Sequence, residues 1–84
     1  MESSSPPLHW PRGSRADAET SDAIYLIKNV SRLHATYQVR LLAFAARERG
    51  KRLILVVPRS CAFAAGLEAL VRSSGGTIRR EDLP

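Results

Sequence analysis

Hydrophobic spacing changes character four times between Ala16 and the last residue. "AIYLIKNV", Ala23 to Val30, is β-branched and aromatic and too short for a typical helix, which predicts a strand. "ATYQVRLLAFAARERG" is rich in helix formers, and Gly50 stands where a helix would need its C′ residue, with Arg47 and Arg49 in the last turn where cations suit the dipole. "RLILVVP" is a continuous apolar run of strand length closed by Pro58, the pattern of a strand buried on both faces. Phe63, Leu67, Leu70 and Val71 then fall on one face of a second helix, for which Ser60 is the expected N-terminal cap and "SSGG" the stop. "TIRR" predicts a last short strand. The order β-α-β-α-β, closed by right-handed crossovers, gives an α/β fold with a small, mostly parallel or mixed sheet.

The first fifteen residues have no such spacing. "ESSSPP" and "WPRGSR" are rich in Ser, Pro and Gly, so residues 1–15 are expected to form a disordered or loosely attached arm carrying Trp10, and residues 16–84 the domain. A domain of this length buries only about 60% of its unfolded surface, so a partner or further chain would steady it. Cys61 is the only cysteine, which excludes a disulfide framework. No apolar run reaches the ~18 residues of a membrane span, and the N-terminus has no basic leader or apolar core of a signal peptide. The expectation is a cytoplasmic chain with no membrane partner.

Charge separates the two parts. Residues 1–22 carry two arginines against four acids, a net −2, whereas residues 23–84 carry 11 basic and 4 acidic residues, a net +7. A field of that sign attracts polyanions, nucleic acid foremost. A solvated basic surface without a ligand would have the same composition.

Most catalytic motifs are absent. No GxxxxGK[ST] or GxGxxG follows a strand, His9 and His34 are isolated, and zinc-type ligand spacing is missing. Ser60 and Cys61 follow a strand, but the glycines of a G-x-S-x-G elbow are lacking, which leaves Cys61 as a small apolar filler. What remains is Asp17, then Lys28 on the next strand, then Gln38 and Arg40 on the following helix.

"RAD" at Arg15 to Asp17, "YLIKNV" at Tyr25 to Val30, "YQVRLL" at Tyr37 to Leu42, "LILVVPR" at Leu53 to Arg59 and "GGTIRREDLP" at the end together resemble the restriction-endonuclease-fold toxin domains of polymorphic and contact-dependent inhibition toxins. Those domains carry a PD-(D/E)XK nuclease signature. The resemblance covers about Arg15 to Pro84 and implies a restriction-endonuclease-like fold, incomplete at its N-terminus. It further implies a magnesium ion held by Asp17, charge stabilisation at the phosphate by Lys28, and Gln38 directed from the helix toward the site. Arg40 and Arg32 stand as candidate nucleic-acid contacts. The residue types suit the chemistry, since a hard cation takes carboxylate oxygens and a phosphodiester transition state needs concentrated positive charge.

One position departs from the family. Leu26 stands where the acid of ExK belongs, and it cannot ligate a cation; Glu19 or Asp22 would have to substitute. Leu26 and Lys28 should share a strand face, so that Leu26→Glu would complete a two-carboxylate site. Lys28 itself reads either as the retained nuclease lysine or as a lysine guarding a sheet edge. Three functions follow: a degenerate or weakly active magnesium-dependent nuclease toxin, a non-catalytic basic module that binds nucleic acid or an immunity protein, and a structural fragment of a larger toxin.

Overall fold

The computed structural model describes residues 16–84, so the expected arm with Trp10 lies outside the described residues. Strand β1 is Ala18–Glu19 and β2 is Ala23–Ile27. Thr20 joins them by a side-chain turn, its Oγ1 accepting from the Asp22 and Ala23 amides at 3.2 and 3.0 Å. Next come β3, Arg32–Leu33, and helix α1, Tyr37–Glu48. Strand β4 is Arg52–Val57, β5 Ala62–Phe63, helix α2 Ala65–Ser73, and β6 Ile78–Asp82.

Helix α1 is bounded by sequence-encoded caps. Thr36 accepts a hydrogen bond from the Val39 amide at its start. At its end the Lys51 amide donates to Ala46 and the Gly50 amide to Arg47, a Schellman closure that requires the left-handed φ of +68° at Gly50.

The main sheet has the order β1-β2-β4-β6, with β1 antiparallel to β2 and the other pairs parallel. Both crossovers step the same way across the sheet, so right-handed connections lay α1 and α2 on one face. Alternation confirms the side: Ile24, Leu26, Leu53, Leu55, Val57 and Ile78 are buried with Val39, Leu42, Ala45, Ala46 and Leu67. The α/β fold class and the two helices are as expected.

Three details of the sequence reading change. Strand β4 is buried on one face only, because Ile54 and Val56 on the other remain half-buried and no described element packs over them. A second, two-stranded sheet pairs β3 with β5, and it takes Phe63 into a strand rather than into α2. Helix α2 consequently starts at Ala65 with Ala64 at its N-cap and no side-chain cap, so Ser60 lies in the preceding loop and caps nothing.

Candidate functional site

Two of the expected site residues, Asp17 and Lys28, lie near the end of β2. Asp17 precedes β1 in an extended turn, and its Oδ2 accepts from the Ile27 amide at 2.7 Å, which puts the carboxylate beside the residue before Lys28. The Lys28 amide in turn donates to Val56 at 2.9 Å, anchoring it to β4. Its side chain is half-buried and has no ion pair among the described residues. Lys28 follows the last residue of β2, beyond the two-residue ladder that β1 forms with Ile24 and Tyr25. Gln38 lies half-buried in the first turn of α1.

The donor set does not fit a magnesium ion. Leu26 is 1% exposed and sits in the core between β2 and α1, not at a cleft. Asp17 has one oxygen engaged by backbone, and among the described residues no group of three His, Cys, Asp or Glu could hold a metal. The two acids considered as substitutes lie elsewhere. Asp22 sits in the turn before β2, at the opposite end of that strand from Lys28.

Glu19 holds the end of α1 to the hairpin. Its Oε2 accepts from Arg49 at 2.5 Å and from Lys51 at 2.6 Å. Burial pushes the Glu19 pKa up, but the Lys51 and Arg49 hydrogen bonds and charges outweigh it and leave it below its ordinary value of 4.5. A folded pKa depressed below the unfolded one contributes stability that is fully present above about pH 4.5 and lost as pH falls through the folded value. Glu19→Gln is therefore expected to lower stability modestly at neutral pH and to flatten this part of the acid limb in denaturant titrations. An acid limb identical to that of the parent chain would show the pair contributes nothing.

Arg32 lies on β3 and Arg40 on the exposed side of α1, on different elements from one another and from Asp17. The sequence reading overlooked a second basic group at the amino ends of the parallel strands. A cleft of about 580 Å³ there is lined by Arg47, Lys51, Arg52 and Arg79 against the single acid Asp22. Lys51 is tied to Glu19, but Arg47, Arg52 and Arg79 have no side-chain partner among the described residues. Arg80, by contrast, is spent on structure: it donates to Pro58 and Arg59 carbonyls at 3.0 Å, pairs with Asp82 and lies over Phe63. No spacing motif announces the cleft, because its arginines come from α1, β4 and β6 and meet only through the sheet order.

The other chemistry weighed from sequence is absent from a site. Cys61 is 3% exposed and packs in the core, as expected of a filler. No described helix is long and apolar enough to cross a membrane. No family model, curated protein or solved structure matches this chain.

Proposed function

We propose that this chain is a non-hydrolytic module that binds the phosphates of nucleic acid, on a restriction-endonuclease-like frame of toxin origin that has lost its metal site. The observation that carries the reading is the cleft in which Arg47, Arg52 and Arg79 converge unpaired. Cations at a helix end also complement the dipole, which accounts for Arg47 in the last turn of α1. That explanation does not extend to Arg52 and Arg79, which stand on strands. The antiparallel β1–β2 hairpin leading into the parallel β2-α1-β4 unit supports the frame, and Leu26 in the core supports the loss. An acidic immunity protein would compete for the same cleft.

Binding through about three phosphates of duplex DNA should give a slope near −2.7 in log affinity against log salt, or a roughly 40-fold loss between 50 and 200 mM. Anisotropy of a labelled oligonucleotide measures it. An affinity indifferent to salt would remove this reading.

The second reading, magnesium-dependent hydrolysis, is favoured by the Asp17 carboxylate lying against the Ile27 amide, one residue before Lys28. Its test is cleavage of DNA and RNA in the presence and absence of magnesium, and efficient cleavage by the parent chain would establish it over the first.

A further inference from the structure

Helix α1 turns an unusual face outward. Tyr37, Arg40, Phe44 and Arg47 follow at i, i+3, i+7 and i+10, which places all four within an arc of about 80°. Their order alternates aromatic and cationic. Tyr37 is 60% and Phe44 63% exposed, the two most exposed large hydrophobic residues among those described. Neither arginine has a side-chain partner among the described residues. The buried residues of α1, Val39, Leu42, Ala45 and Ala46, lie on its opposite side, so core packing does not explain the aromatics.

Two recesses continue from this stripe. Between α1 and α2 lies a groove of about 260 Å³, walled by Phe44, Ala43 and Leu70 with Arg40 and Arg47 among its lining. Arg47 also lines the larger basic cleft with Arg52 and Arg79. One arginine thus joins an aromatic-walled groove to a phosphate-sized field of positive charge.

We propose that this face binds single-stranded nucleic acid, with bases stacking on Tyr37 and Phe44 while Arg40 and Arg47 take the intervening phosphates and lead the strand toward Arg52 and Arg79. The proposal rests on the nucleic-acid reading and narrows its ligand class. Flat rings with a free face suit unpaired bases, whereas the bases of a duplex are stacked on each other and offer such rings nothing. Tyr37 and Phe44 are separated by about 10 Å along the helix axis, room for a phosphate-bound arginine between two bases. Charge complementarity selects a polyanion over a second copy of this chain, whose facing stripe would bring like charges together. The one acid on the same side, Glu48, follows Phe44 by one turn and would repel the strand.

The test compares fluorescein-labelled dT15, rU15, a dT15·dA15 duplex and an abasic 15-mer in anisotropy titrations. The parent chain is expected to bind dT15 or rU15 at least about tenfold more tightly than the abasic strand and the duplex. Tyr37→Ala with Phe44→Ala should remove that preference with the salt slope unchanged, Tyr37→Phe with Phe44→Trp should retain it, and Glu48→Gln should tighten binding. Whichever of dT15 and rU15 binds better identifies the sugar. Equal binding of the abasic strand, or an aromatic double variant that binds dT15 and rU15 like the parent, would overturn this inference while leaving phosphate binding intact. Failure of all four probes to bind would overturn both. A parent dimer in sedimentation that the double variant abolishes would assign the stripe to a second copy, and would also overturn it.

Discussion

Leu26→Glu is expected to unfold most of the protein at 25 °C, and magnesium is expected not to restore it. The leucine is 1% exposed and packed in one continuous core with Ile24, Leu55 and Val39. Losing a buried leucine costs about 2–5 kcal/mol. Leaving an unpaired carboxylate in its place adds several more unless the group takes up a proton. The total stability of a domain this size is of order 3–10 kcal/mol, so the two terms together consume it. Leu26→Met, which keeps volume and polarity, should cost less than about 1.5 kcal/mol. Thermal melts of the three chains with and without 10 mM magnesium decide the matter. A cation that bound the folded Glu variant would stabilise it by mass action, so a magnesium-dependent recovery of its Tm, absent in the parent, would show that Leu26 faces a cation site after all. That outcome would revive the hydrolytic reading, since the Asp17 carboxylate already lies against Ile27, the residue before Lys28.

The elements with long periodic runs were legible. Helix α1 could be placed from its formers and from Gly50, because a left-handed glycine is local chemistry that no tertiary partner needs to supply, whereas the Thr36 cap went unread. Strands β2 and β4 were legible from their apolar runs, although the number of buried faces of β4 was not, since an apolar run does not say how many layers will cover it. The β3–β5 pair was invisible: two-residue strands have no period, and their hydrogen bonds join residues about thirty positions apart. Phe63 fitted the helical spacing of Leu67, Leu70 and Val71, yet its strand pairing with Leu33 prevailed. In the candidate site, the turn at Thr20 is short and local, so Asp17 folds back onto the end of β2 and meets the Ile27 amide. The sequence reading offered Arg32 and Arg40 as basic contacts and did not group Arg52 with Arg79, whose proximity depends on β4 and β6 being neighbours.

Removing those two arginines is expected to have the largest effect on binding. Arg52 and Arg79 are exposed, and the backbone bond from the Arg52 amide to Asp22 at 3.0 Å survives truncation of the side chain. Stability should therefore move by less than about 0.5 kcal/mol. If each neutralises one phosphate, Arg52→Ala with Arg79→Ala should reduce the salt slope by about 1.4 on a single strand and by about 1.8 on duplex DNA. The corresponding affinity loss for a single strand is roughly 70-fold at 50 mM salt and about 10-fold at 200 mM, vanishing as salt approaches 1 M. Lys28→Ala with Arg59→Ala removes the same charge from the carboxyl end of the parallel strands, and it should cost far less, because general attraction by a basic domain depends on charge whereas a cleft depends on position. Equal losses from the two pairs would mean that the field of the whole domain, not the cleft, holds the nucleic acid. A loss confined to Lys28 and Arg59 would move the binding face to the end of the sheet where Asp17 lies, and with it the remaining case for a nuclease.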